Sequence, residues 1–244
     1  MKHRDAFTLL EVVICLGSLL VVGLLLLPGL GRTHVRSSRV SCVSNLKQIG
    51  VAFRLFANDH DGKYPAQLSR TNDGLLEISD SASAADYFSI LQSELASQKI
   101  LVCPTDTRTA SASWETLKGT NISYALFLES SETEPSSLML ADRNMVVAEK
   151  QTAGVTRLVN PERAYWGPDM HVRAGNLAFG DGSARQTDNA LLRKALVVMS
   201  QLDNPPTQTA ASAESSTNNS IARPTGMQNA TNSTGGPVKR VLYP

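Results

Sequence analysis

From Phe7 to Leu30 the only ionisable side chains are the Glu11 carboxylate and the Cys15 thiol. A helix over this run rises about 36 Å at 1.5 Å per residue, enough to cross a bilayer. A secretory signal peptide has a shorter apolar region, about 7 to 15 residues, with small residues at a cleavage site behind it, and this run has neither. The sequence therefore predicts a transmembrane helix at 7–30. Lys2 and Arg4 precede it and Arg32, Arg36 and Arg39 follow it, so charge alone leaves its direction open.

Glu11 is the costly residue in such a helix. A charge in hydrocarbon costs of the order of 2.5 to 3.5 kcal/mol and calls for compensation. Cleavage between Ala6 and Phe7 would supply it, because the new α-amine at Phe7 stands four residues before Glu11. Within one helix the two charges pair locally; between staggered helices the same pair also fixes axial register. A plain single-span anchor, with Glu11 snorkelling to the nearby interface, satisfies the same residues.

Beyond the run, Val35, Cys42, Leu46, Ile49, Phe53 and Phe56 fall on one helical face, with Arg36, Arg39, Lys47 and Arg54 between them. Pro28, Gly29 and Gly31 kink the join without separating two elements, and residues 58–62 end the helix before Tyr64-Pro65. A short helix is expected over Asp86 to Ser97, and strands over Ile100 to Cys103, Ile122 to Leu128, Ser137 to Ala141 and Met145 to Ala148. Gly180-Asp181-Gly182 joins two further strands as a hairpin, since Asp-Gly supplies the positive φ that tight turns need. A last helix is expected from Ala190 to Leu202. From Asp203 the chain is Ser, Thr, Asn, Gln and Pro until Val241-Leu242-Tyr243, which predicts a disordered tail over 203–244. The net charge of +1, from 23 basic and 22 acidic residues, leaves no footprint for nucleic acid.

A basic leader, a small residue, Phe7-Thr8-Leu9-Leu10-Glu11 and a long apolar helix resemble the prepilin N-terminal cleavage and methylation signature of type IV pilins and type II secretion pseudopilins. The resemblance implies cleavage by a prepilin peptidase between Ala6 and Phe7, methylation of the Phe7 amine and an assembly ion pair between Phe7 and Glu11. One departure is that Ala6, preceded by Asp5, stands where the family usually has Gly. Residues 39–50, the Asp61-Gly62-Lys63-Tyr64-Pro65 turn and the Cys103-Pro104-Thr105-Asp106 element are similar to a pseudopilin subfamily. His171, nine residues before Asp181-Gly182, is similar to the H-X9-DG element of prepilin-type proteins.

The resemblance implies a pilin-like α+β fold: a long N-terminal helix, its first half transmembrane, packed on a small antiparallel β-sheet. Residues 1–6 would be the leader, 7–30 the transmembrane or filament-core helix, 31–202 an extracytoplasmic domain and 203–244 the tail. The protein would be a structural subunit of a type II secretion pseudopilus, single-pass in the inner membrane with a cytoplasmic N-terminus and a periplasmic domain. Its partners would be other pilin or pseudopilin subunits, the peptidase and the assembly platform. The alternatives are a type IV minor pilin or a single-span binding domain that does not polymerise.

Cys42 and Cys103 recur in the quoted motifs, which implies a disulfide, against the alternative of two buried thiols. His171, Asp169 and Asp181 lack the ligand spacing of HExxH or of a paired Cys/His zinc motif, and a hairpin with a hydrogen-bonded histidine accounts for them. No cofactor is expected; Asp169 and Asp181 are the calcium candidates, by likeness to major pseudopilins. No GxSxG, Gly-rich phosphate loop or second constellation supports an enzyme.

Overall fold

The computed structural model describes residues 8–147, 154–158, 160–202 and 239–244, with the side chains of residues 25–37 left aside. Residues 1–7, which hold the expected leader at 1–6 and Phe7, lie outside this range. The first helix, α1, spans Leu9–Asp59. It starts at a capping box: Thr8 Oγ1 accepts from the Glu11 amide, and the Glu11 carboxylate accepts from the Thr8 amide and hydroxyl, both at 3.0 Å. It stops where Gly62 N–H returns to the Ala57 carbonyl at 2.8 Å, with Asp61 and Gly62 in left-handed conformation.

Among the described residues no helix is long and apolar enough to cross a membrane. This corrects the expected transmembrane helix at 7–30, the membrane-spanning first half of the fold and the single-pass inner-membrane location. The apolar side chains described from Leu9 to Leu24 rise only about 24 Å, against roughly 30 Å of bilayer hydrocarbon.

The fold is α+β with an antiparallel sheet. Its strands are β1 (Tyr124–Phe127), β2 (Leu138–Asp142), β3 (Met145–Val146), β4 (Gly154–Arg157), β5 (Tyr165–Trp166), β6 (Gly175–Phe179), β7 (Ala184–Thr187) and β8 (Arg240–Tyr243). Six form one sheet in the order β4-β8-β1-β2-β6-β7, and β3 pairs with β5 separately. The helix α2 (Ala84–Ile90) is capped by Ser83 and Asp86, and α3 (Asn189–Leu202) follows the β6–β7 hairpin.

Strand alternation sends side chains to two cores. Tyr124 and Leu126 of β1, Leu140, Ala178 and Leu242 face Cys42, Leu46, Ile49, Phe53 and Phe56 of α1 together with Tyr87 and Phe88 of α2. Ala125 and Phe127, with Leu138, Leu177, Phe179, Val241 and Tyr243, face Leu192, Leu196 and Met199 of α3. The central strands are therefore buried on both faces, which is why they read as continuous apolar runs.

Three expectations about elements fail. Residues 100–103 are not a strand: 98–101 form a 3-10 turn that positions Cys103. The helix expected over 86–97 ends as α2 at Ile90 and continues as a 3-10 turn over 91–93. The tail expected to be disordered to 244 instead ends in β8, an interior strand between β4 and β1. Arg240 anchors that strand through Glu129 at 2.6 Å and Asp80 at 2.7 Å, and Val241 and Leu242 are wholly buried.

Candidate functional site

The motif residues converge where α1 lies on β2 and β6. Cys42 from α1 and Cys103 are joined by a disulfide with Cα atoms 5.1 Å apart. His171 Nε2 stands 3.4 Å from Cys103 Sγ and 3.3 Å from Asp142 Oδ2, while its Nδ1 lies 3.3 Å from the Thr105 hydroxyl. Asp142 closes β2, and its Oδ2 accepts from the Asn176 backbone and side-chain N–H groups, each at 2.9 Å. The Asp142 and His171 side chains are 0% and 1% exposed, so this is a dry polar cluster.

Desolvation sets its protonation. Full burial pushes the Asp142 carboxyl up to about 8, against the Asn176 donors and Arg39, which pull it down. Burial, and then the Arg39 charge, push the His171 imidazole down to about 4, against the pull of Asp106. Both groups are consequently neutral near pH 7, and the pair is held by hydrogen bonding and packing rather than by opposite charges.

The backbone is bent to deliver the histidine. His171, Val172 and Arg173 have φ of +38°, +49° and +59°, three successive left-handed residues with Cβ atoms. Each costs about 1 to 2 kcal/mol, and a β-branched residue there is a true outlier. Asn144 holds the loop by donating from Nδ2 to the carbonyls of Gly167, Met170 and Ala174, at 3.0, 3.4 and 3.1 Å.

The Asp181-Gly182 turn meets α1 two helical turns further on. A Cβ on Gly50 would lie 3.1 Å from the Gly182 Cα, so helix and turn touch through backbone. Gly182 has φ of +77°, the Asp181 carbonyl accepts from Arg54 at 3.3 Å, and the Tyr64 hydroxyl donates to the Gly180 carbonyl at 3.0 Å. Asp106 of the Cys-Pro-x-Asp element takes Arg143 bidentately at 2.7 and 2.6 Å and accepts from Ser123 at 2.7 Å. His171 and Asp181-Gly182 thus act at the two ends of β6 as one clamp on α1.

Cysteine, histidine and aspartate together invite a catalytic reading, which the geometry does not support. A nucleophile and an orienting acid must address opposite nitrogens of the ring, yet Cys103 and Asp142 both approach Nε2. The sulfur is already bonded, and the cluster is closed to solvent. The calcium candidates fall apart: Asp169 lines a cleft with Arg108, Arg143 and Tyr165, and Asp181 lines another with Arg185, Leu191 and Lys194. Among the described residues the metal-ligating set that converges is Cys42, Cys103 and His171.

No family model, curated protein or solved structure matches the chain. What the molecule does is therefore argued from its own surfaces. The N-terminal part of α1 is one of them: Leu9, Leu10, Val12, Val13, Ile14, Leu16, Leu19, Leu20, Val21, Val22 and Leu24 are all exposed. Of the expected assembly pair, Phe7 lies outside the described residues and Glu11 is exposed with its carboxylate on Thr8. Sequence reasoning passed over three contributors. Thr8-x-x-Glu11 before an apolar run is the capping-box pattern and was there to be read. Asp142 and Asn176 carried a weaker signal, as polar residues at the ends of apolar strands.

Proposed function

We propose that the chain is a non-catalytic assembly subunit of a type II secretion pseudopilus that polymerises through the N-terminal part of α1. The observation that carries this is a helix apolar on every side whose described side chains from Leu9 to Leu24 touch nothing of their own domain. One docked partner covers a single stripe of a helix, whereas a bundle of like helices covers all of it. A helical, head-to-tail array of copies supplies that bundle. Resemblance of the Cys42 helix, the Tyr64 turn and the His171 element to pseudopilins favours a secretion pseudopilus over a type IV pilus.

In this reading the peptidase cleaves between Ala6 and Phe7, and the methylated Phe7 amine of one subunit meets Glu11 of a neighbour. Cys15 is a free, exposed thiol on the same helix and reports on packing. A short bismaleimide should cross-link Cys15 between copies into a covalent dimer, and Glu11→Ala should remove that dimer while the domain stays folded. A cross-linked dimer unchanged in Glu11→Ala rejects the register role, and monomers alone at all concentrations reject assembly. The mass of the mature N-terminus checks processing, with a methylated start at Phe7 expected.

A further inference from the structure

We propose that reduction of the Cys42–Cys103 disulfide converts the buried cluster into a zinc-class metal site with Cys42, Cys103 and His171 as ligands and Asp142 as the fourth. The sulfurs and a His171 ring nitrogen all lie within 4.8 Å of one another. A tetrahedral zinc with bonds of about 2.3 Å to sulfur and 2.0 Å to nitrogen and oxygen sets its ligands about 3.5 Å (S to N) and 3.3 Å (N to O) apart. The observed separations are 3.4 Å from Cys103 Sγ to His171 Nε2 and 3.3 Å from that nitrogen to Asp142 Oδ2.

Two bonded sulfurs cannot both ligate one ion, so the site is closed while the disulfide stands. A dithiol or phosphine reductant opens it: the S–S bond breaks, the reductant is oxidised, and each sulfur leaves as a thiol. Zinc then displaces one proton from each thiol and the proton of the Asp142 carboxyl, with no change in its own oxidation state. Supporting contacts are already in place. Thr105 reaches the second ring nitrogen of His171, Asn176 holds Oδ2 of Asp142, and Asp142 Oδ1 is buried with no hydrogen-bond partner. Two thiolates and a carboxylate leave one negative charge on a bound zinc, and Arg39 is close enough to act on both Asp142 and His171. Access runs through the loop bearing His171, whose next residue, Val172, is 82% exposed.

The test uses the full chain in a Cys15→Ser background, so that Cys42 and Cys103 are its only thiols. Phosphine-reduced protein titrated with cobalt(II) should show thiolate-to-cobalt charge transfer and tetrahedral ligand-field bands at one equivalent, displaced by zinc. Oxidised protein should show neither. His171→Ala, which keeps both sulfurs, should weaken cobalt binding at least tenfold, and Asp142→Asn should weaken it less. Zinc should raise the melting temperature of the reduced protein and leave that of the oxidised protein unchanged. Absence of the bands, equal affinity in His171→Ala, or equal affinity in reduced chain unfolded in urea overturns the proposal. A reduced chain that folds with zinc and not without it supports the site; one that folds with neither overturns it.

Discussion

Val172 sits at φ +49° with its side chain 82% exposed, so it bears left-handed strain and gains little packing in return. Val172→Gly should therefore raise the unfolding free energy by about 1 kcal/mol, read as a higher denaturant midpoint with unchanged slope. Asp142 gives a pH signature. Its folded-state value of about 8 stands above its unfolded value, so the unfolded chain binds fewer protons between pH 4 and 8 and stability falls as pH rises through that window. His171, lowered to about 4, works oppositely between pH 4 and 6.5, where stability rises with pH. The two slopes offset one another up to pH 6.5, beyond which Asp142 acts alone. Oxidised, metal-free protein should lose of the order of 2 kcal/mol between pH 6.5 and 8, and Asp142→Asn should flatten that decline. Equal pH profiles for the two proteins would show that Asp142 is ionised throughout. The sequence marked His171 and Asp181-Gly182 by spacing, but not Asp142, because burial of a carboxylate depends on which strands flank β2 and on the helix laid over them.

Elements show where pattern suffices and where it does not. The β6–β7 hairpin was legible because Asp181-Gly182 has one strong local reading, and Gly182 does take φ of +77°. Residues 100–103 were misread because a short apolar run fits a strand or a tight turn equally, and a disulfide to α1 decides between them. The helix is attached to the sheet through their shared core, and that bond and the Gly50–Gly182 contact reinforce it. Opening a loop with a sequence separation of 61 should cost about 4 kcal/mol, so Cys42→Ala with Cys103→Ala should lower the denaturant midpoint accordingly. Gly182→Ala should cost about 1 to 2 kcal/mol, since it adds a Cβ at positive φ, 3.1 Å from Arg54 Cδ.

For the molecule as a whole, the projecting part of α1 and the domain are separable in energy. Removing residues 1–24 should leave the melting temperature within a degree or two, because those described side chains belong to neither core, while abolishing self-association. Removing residues 239–244 should do the reverse and unfold the domain, seen as loss of near-ultraviolet circular dichroism, since β8 fills the interior of the sheet. A long polar stretch before it hid that strand, and three apolar residues could not announce pairing partners as distant in sequence as Gly154–Arg157 and Leu126–Phe127. During synthesis β4 and the four-stranded block from β1 to β7 emerge from the ribosome well before Arg240–Tyr243 does. Until that strand pairs, the block has an open edge at β1 and β4 has no neighbour in the sheet, so six residues at 239–244 join two parts that do not otherwise pair among the described residues.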